Sequence, residues 1–82
     1  MVKHMTNTQA TLRLREDRVE LLRQMRELDT DYALAKAMGI SQGNLSRTLR
    51  NKQQPGPKFI ATLCTALGAT MNDLFAIEQD AA

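Results

Sequence analysis

Apolar residues recur every three or four positions along most of this chain, which is the spacing that places them on one face of a helix. The first such run predicts a helix over about residues 18–28. Its apolar positions are Val19, Leu22 and Met25. Asp17, followed by Glu20 three residues later, indicates a capping box at the start of this helix.

Two further helices are predicted on either side of a very short turn. The first of them begins at Thr30 or Asp31, either of which can cap a helix, and it ends at Gly39, which suits a left-handed C-terminal cap. Ser41 caps the second, over about residues 42–50. The break after two turns sets these helices at roughly 90–120° to each other, the layout of a helix-turn-helix. The apolar residues of the pair are Leu34, Ala35, Met38, Ile40 and Leu45.

The rest of the chain predicts two more helices and one short strand. Residues 51–57 (NKQQPGP) form a turn by composition, and the proline at 57 is tolerated as a first helical residue. Thr70 and Asp73 have the spacing of a capping box before a last, short helix. Residues 11–15 (TLRLR) alternate polar and apolar side chains, as a strand does. The predicted fold class is therefore all-α, a bundle of five short helices with a short N-terminal strand.

The length of 82 residues indicates a single domain, since a chain this small buries only about 60% of the surface that it exposes when unfolded. We expect this domain to occupy residues 11–78. Residues 1–10 are expected to be a disordered N-terminus that includes a leader, MVKH, added before Met5, and residues 79–82 a tail.

Composition excludes several functional classes. The single cysteine cannot form an internal disulfide, and no apolar run approaches the roughly 18 residues of a membrane span, so a reducing, cytoplasmic location is expected without membrane association. An enzyme needs a nucleophile with a base, a carboxylate pair or metal ligands held together. Cys64 lies on the apolar face of a predicted helix, and His4 belongs to the expected leader. We therefore expect neither catalysis nor a cofactor nor a bound metal.

The distribution of charge is more informative than its sum of +2. Residues 1–31 balance six basic against six acidic side chains, whereas residues 32–72 carry five basic side chains and no acidic one. These five are Lys36, Arg47, Arg50, Lys52 and Lys58. A segment of one sign over half of the chain is typical of a surface that binds a polyanion, although a merely solvated face has the same pattern.

The helix over 42–50 has one polar face whose chemistry suits base edges. At 100° per residue, Leu45, Thr48 and Leu49 fall in one sector, and the opposite sector is glycine or polar. Arginine can pair with guanine O6 and N7, and asparagine or glutamine with adenine N6 and N7. The predicted base-contacting residues are Gln42, Gly43, Asn44 and Arg47. Glycine at 43 either allows close approach to a DNA wall or is simply tolerated in a first helical turn.

The stretch LAKAMGISQGNLSRTLRNKQQPGPKFIATLCTALG, followed by TMNDLF, resembles the DNA-binding domain of phage repressor and Cro-type (Xre-like) proteins. The resemblance covers about residues 18–75 and implies a lambda-repressor-like bundle. It also implies a transcriptional regulator, most often a repressor, that lays one helix of the motif across the phosphate backbone and the next in the major groove of double-stranded DNA. The chain departs from the family pattern at Asp31, usually a phosphate-holding glutamine, and at Thr48, usually a larger apolar residue.

With that docking, a second set of residues is expected to contact the DNA backbone. These are Thr30, Tyr32, Ser41, Ser46, Arg50, Asn51, Lys52 and Lys58. Lys52 and Lys58 can equally belong to a solvated loop, and Tyr32 can equally be a partly exposed packing residue. The alternative function is a protein-interaction adaptor or an antitoxin-type partner built on the same fold.

A homodimer is expected, because one recognition helix discriminates too little against competing sites. Apolar residues at both ends, namely Leu12, Leu14, Leu74, Phe75 and Ile77, exceed what a five-helix core needs. The strand over 11–15 can pair with its symmetry mate or with the segment after residue 75, or these residues can simply cover the core of the monomer. A regulatory protein partner is also compatible with the sequence.

Overall fold

The computed structural model describes residues 9–80, so the leader and His4 lie outside the described residues. The elements in chain order are β1 (Gln9–Leu14), α1 (Glu16–Met25), α2 (Asp31–Met38), α3 (Gln42–Leu49), α4 (Pro57–Leu67), α5 (Met71–Leu74) and β2 (Phe75–Asp80). All five predicted helices are present. The two strands form an antiparallel ribbon, so the fold is mainly helical and the all-α prediction was inexact.

Helix α1 begins before its predicted capping box. Arg15 occupies the N-cap position without a side-chain cap, and its backbone N–H donates instead to the carbonyl of Leu74 at 2.8 Å. Asp17 therefore lies in the first turn, where its charge favours the helix dipole, and the predicted box with Glu20 was wrong. The helix also ends three residues earlier than 28, and Glu27 turns the chain with φ of 58°.

The helix-turn-helix forms where its caps predict. Thr30 Oγ1 accepts the N–H of Ala33 at 3.1 Å, so Thr30, and not Asp31, caps α2. Gly39 ends α2 with φ of 73°, a left-handed conformation that favours glycine. Ser41 Oγ then accepts the N–H of Asn44 at 3.1 Å and starts α3. Each end of the turn is thus capped by a residue within it or next to it.

A buried arginine fixes the connection between α1 and α2. Arg23 Nε donates to the carbonyl of Leu28, and its Nη2 donates to the carbonyl of Asp29 and to Asp31 Oδ1, each at 3.0 Å. A buried guanidinium is costly unless its donors are satisfied, and here they close the loop around it. Arg23 therefore fixes the start of α2 relative to α1 through these hydrogen bonds.

The helices enclose one apolar core. Its buried members are Leu14, Val19, Leu34, Ala35, Met38, Leu45, Leu49, Phe59, Leu63, Leu67, Leu74 and Phe75. Every helix contributes to this core, and so do the inner ends of both strands. Truncating a buried leucine of this kind to alanine costs about 2–5 kcal/mol.

The β ribbon joins the two ends of the described chain in the register Leu14↔Phe75 and Leu12↔Ile77. The first pair is buried in the core, whereas Ile77 is 72% exposed. Pairing with the segment after residue 75, one of the predicted alternatives, is therefore what the structure shows. It also moves the domain limits outward, since Gln9 and Ala10 belong to β1, and the predicted tail includes the end of β2.

The edge of β1 that faces away from β2 is covered by side chains of the loop after α3. Asn51 Oδ1 accepts the N–H of Leu14 at 3.0 Å, and Gln54 Oε1 accepts that of Leu12 at 3.1 Å. Over this stretch both edges of β1 are thus occupied within the chain, which disfavours the predicted alternative of pairing with a symmetry mate.

Candidate nucleic-acid interface

Helix α3 presents to solvent the face that was predicted from its sequence. Leu45, Thr48 and Leu49 are buried, while Gln42, Gly43 and Arg47 are exposed and Asn44 is half-buried. The four predicted base-contacting residues therefore lie on the accessible side of the helix. No acidic residue occurs in α3.

Gly43 leaves room for the guanidinium group of Arg47. A Cβ atom built at Gly43 would lie 3.3 Å from Arg47 Nη1, closer than most such contacts in proteins. The arginine side chain thus folds back along the first turn of its own helix. This contact adds a third reason for glycine at this position, besides close approach to DNA and simple tolerance.

Gln53 organises the same face and was not among the predicted residues. Its Oε1 accepts from Arg47 Nε at 3.1 Å, and its Nε2 donates to Thr48 Oγ1 at 3.0 Å and also to Asn44 Oδ1. Thr48 Oγ1 in turn donates to the carbonyl of Asn44 at 3.0 Å. We call Gln53 with these three partners the amide clamp. An amide in a polar loop gives no sequence signal of such a role, because its partners depend on how the loop folds back over α3.

The side chain of Asn51 points toward the ribbon. Besides accepting from the N–H of Leu14, its Nδ2 donates to Glu16 Oε2 at 3.1 Å and to the carbonyl of Leu14 at 3.4 Å. Its φ of 58° is one that asparagine tolerates better than most residues. Asn51 thus ends the α3 region and ties it to β1, a structural role that the predicted phosphate contact did not include.

The other predicted backbone-contacting residues lie at the start of α2, on or next to α3, and in the segment that leads into α4. Thr30 and Ser41 are exposed caps at the N-termini of α2 and α3, and Lys52 and Lys58 are exposed on either side of the loop before α4. Arg50 Nη1 donates to Ser46 Oγ, which pairs these two side chains on the outer face of α3. Tyr32 is 61% exposed at the start of α2, with Lys36 Nζ 5.9 Å from its ring centre.

The five basic residues of the segment 32–72 form no salt bridge with an acidic residue within residues 9–80. The salt bridges found there join Arg13 to Glu78, Arg18 to Asp73 and Arg23 to Asp31. None of them uses a basic residue from 32–72. The positive charges around α3 are therefore not neutralised by neighbouring carboxylates and remain able to attract an anion.

We also searched the described part of the chain for metal sites, membrane spans and a reactive cysteine. No group of three or more His, Cys, Asp or Glu side chains there is placed to hold a metal, and no helix there is long and apolar enough to cross a membrane. Burial, helped by the charge of Asp73, raises the pKa of the Cys64 thiol. A raised pKa keeps this cysteine protonated and makes it a poor nucleophile.

A model of the Cro/C1-type HTH DNA-binding domain matches residues 18–80, from the first turn of α1 to the end of β2. The chain belongs to this family. No curated protein and no solved structure matched the chain. The family assignment makes DNA the partner of the domain, with α2, the turn at Gly39 and α3 as its helix-turn-helix. The match includes strand β2 but begins after β1, so only one strand of the ribbon lies within the matched region.

Proposed function

We propose that this Cro/C1-type domain is a sequence-specific regulator of transcription that lays α3 in the major groove of double-stranded DNA. The observation that carries the proposal is the exposed face of α3, which offers hydrogen-bonding side chains and a glycine without an acidic residue. In a helix-turn-helix, the N-terminal residues of the second helix lie nearest the base edges. Gln42 and Asn44 are those residues here, and the guanidinium group of Arg47, from the last turn of α3, reaches back to Gly43 beside them.

The phosphate contacts follow from the same docking. The N-termini of α2 and α3 offer backbone N–H groups beside the exposed caps Thr30 and Ser41, and helix N-termini favour anions. The remaining proposed phosphate contacts are Tyr32, Ser46, Arg50, Lys52 and Lys58. Asn51 contributes indirectly, since its side chain is bonded to β1 and Glu16.

Repression by occupancy is the simplest mechanism for such a domain. A protein bound across a promoter blocks polymerase without any chemical step, so the domain needs only affinity and discrimination. Control then comes from protein level, proteolysis or a partner protein. The rival reading, an adaptor, requires exposed apolar anchors on the functional face. Within α3 every exposed or half-buried residue is polar or glycine.

We further propose that the protein binds DNA as a two-fold dimer joined through β2. Leu12 directs its N–H away from β2, and two residues opposite each other in an antiparallel pair either bond to each other or both direct their backbone polar groups away from the pair. Ile77, opposite Leu12, therefore directs its backbone groups outward, and no third strand covers that edge within residues 9–80. Antiparallel pairing of two β2 strands would bring the exposed Ile77 side chains of the two protomers together. A two-fold dimer that binds two half-sites in successive grooves needs its α3 helices about 34 Å apart.

The salt dependence of duplex binding tests the proposed function. The five unpaired basic residues should make about three to five phosphate contacts per protomer, so log affinity should fall with log salt at a slope of about −3 to −5 per protomer. Fluorescence anisotropy with a labelled duplex measures this slope. An affinity that ignores salt, or no binding at micromolar protein in about 50–100 mM salt, contradicts the proposal.

A further inference from the structure

We propose that Gln53 is a specificity-determining residue, which holds Arg47 and Asn44 so that both present hydrogen-bond donors to the DNA and favour guanine. This inference rests on the proposed function and names the bases that it selects. It starts from the amide clamp, in which one loop side chain contacts the two central base-reading residues of α3.

The orientation of the Gln53 amide follows from its partners. A guanidinium has donors only, so the group that faces Arg47 Nε must be the amide oxygen. The Nε2 group then faces Asn44 Oδ1 and Thr48 Oγ1, where both of its hydrogens find acceptors. Both the oxygen and the nitrogen of the Gln53 amide are thus hydrogen-bonded, and only this orientation of the amide suits its partners.

The clamp changes what Arg47 can offer. With Nε bonded to Gln53, the terminal nitrogens Nη1 and Nη2 remain, and Nη1 lies over Gly43 at the open side of the first turn. Two terminal N–H groups match guanine O6 and N7, the commonest specific contact of arginine in the major groove. A long side chain held at its Nε also loses less rotamer freedom when it binds.

The clamp also changes what Asn44 can offer. Bidentate pairing with adenine requires the asparagine oxygen to accept from N6 while its amino group donates to N7. Asn44 Oδ1 already accepts from Gln53, so the amino group is the part that remains for a base. An amino group that acts alone pairs with acceptors, of which guanine presents two in the major groove, O6 and N7, and adenine only one, N7. The bidentate contact with adenine is thereby weakened, and the balance at this residue shifts toward guanine.

The test compares Gln53→Ala with Gln54→Ala. Gln54 is the neighbouring amide, but it bonds to the N–H of Leu12 in β1 and not to α3, so it is a matched control. A second variant, Gln53→Met, keeps the length of the side chain and removes its hydrogen bonds. Thermal melts establish that each variant is folded. None of the substitutions removes either partner of the bond from Thr48 to the carbonyl of Asn44.

The measurement is the ratio of affinities for duplexes with guanine and with adenine at the two positions read by Arg47 and Asn44. Those positions are identified in the selected site as the ones whose preference disappears in Arg47→Ala and Asn44→Ala. Both Gln53 variants should lower the guanine preference about three- to tenfold, the value of a hydrogen bond, while the salt slope stays unchanged. Gln54→Ala should retain the ratio of the wild type.

Unchanged ratios in both Gln53 variants overturn the inference, and so does an equal loss in Gln54→Ala or an equal loss of affinity on every duplex. Wild-type protein that binds no duplex overturns the proposed function and this inference with it. The amide clamp can also be tested in the absence of DNA by hydrogen exchange. The Arg47 Nε–H proton should exchange with water more slowly in the wild type than in Gln53→Ala. Equal exchange rates also overturn the inference.

Discussion

Replacing Asp31 by glutamine should destabilise the fold and strengthen DNA binding. Asp31 Oδ1 lies 3.0 Å from Arg23 Nη2, in a pair whose side chains are 36% and 9% exposed. Removing one partner of a fully buried pair costs about 3–5 kcal/mol. Here Asp31 is partly solvated, Arg23 keeps two carbonyl acceptors, and glutamine retains an oxygen, so we expect a loss of about 1–2 kcal/mol.

The opposite effect on binding comes from the position of Asp31 at the first turn of α2, which is proposed to face phosphate. A carboxylate there favours the helix dipole but repels the DNA backbone. Asp31→Gln removes that repulsion, so affinity should rise at low salt and the gain should shrink as salt screens it.

The assays are thermal unfolding and duplex titration, with Asp29→Asn as the control. Asp29 bonds to Arg23 through its backbone carbonyl only, so the control removes a nearby charge and leaves the ion pair intact. Asp31→Gln should lower the melting temperature by roughly 5–15 °C, and Asp29→Asn should change stability by less than about 0.5 kcal/mol. Equal melting temperatures would refute the role of the ion pair, and weaker DNA binding by Asp31→Gln would refute the proposed repulsion.

The other predictions concern base discrimination, phosphate contacts, the glycine of α3, dimerisation and the pH dependence of stability. Arg47→Ala should cost about 1–3 kcal/mol on the preferred site and relax discrimination at one base pair, whereas Lys52→Ala should weaken binding to all duplexes alike; titration of matched and mismatched duplexes separates the two. Gly43→Ala should stabilise α3 by up to about 1 kcal/mol in urea melts yet weaken DNA binding, because a methyl group displaces the Arg47 guanidinium; unchanged binding would mean that glycine is merely tolerated there. Ile77→Lys should shift sedimentation from dimer to monomer without lowering the melting temperature of the monomer, and an unaltered dimer would rule out the β2 contact. Bonds from the backbone N–H and the hydroxyl of the α5 cap lower the pKa of Asp73 below its ordinary 3.8, so its stabilising contribution is complete above that value and lost as pH falls through the lowered pKa. Urea melts of the wild type and Asp73→Asn should therefore converge as the pH falls below 3.8, and a difference that does not shrink in acid would contradict this.

The boundaries of the helix-turn-helix could be predicted because caps are local. The hydrogen bonds of these caps, at Thr30, Gly39 and Ser41, join atoms only a few residues apart, so residue type and spacing in the sequence are enough to predict them. The same holds for the capping box that starts α5. The start of α1 was predicted wrongly because it is fixed by the backbone N–H of Arg15, which donates to the carbonyl of Leu74. No capping residue in the sequence indicates that bond.

Features that depend on distant partners could not be predicted. Strand β2 pairs with residues more than 60 positions earlier, and the sequence left open whether its partner was in the same chain. Arg23 lies four residues after Val19, on the same side of α1, but its charge gives no sign of burial, and only the fold of the next loop surrounds it with carbonyls. Gln53 is similar, since its role arises only when the loop after α3 folds back on the helix.

Selection of bound sites from a random duplex library, with wild-type protein and Arg47→Ala in parallel, tests most directly whether α3 reads DNA. We predict that the wild type enriches a two-fold symmetric motif with half-sites one helical turn apart, and that Arg47→Ala loses the preference at one base pair in each half-site. Enrichment of no motif by the wild type, or of the same motif by both proteins, would contradict the assignment of α3 as the reading element.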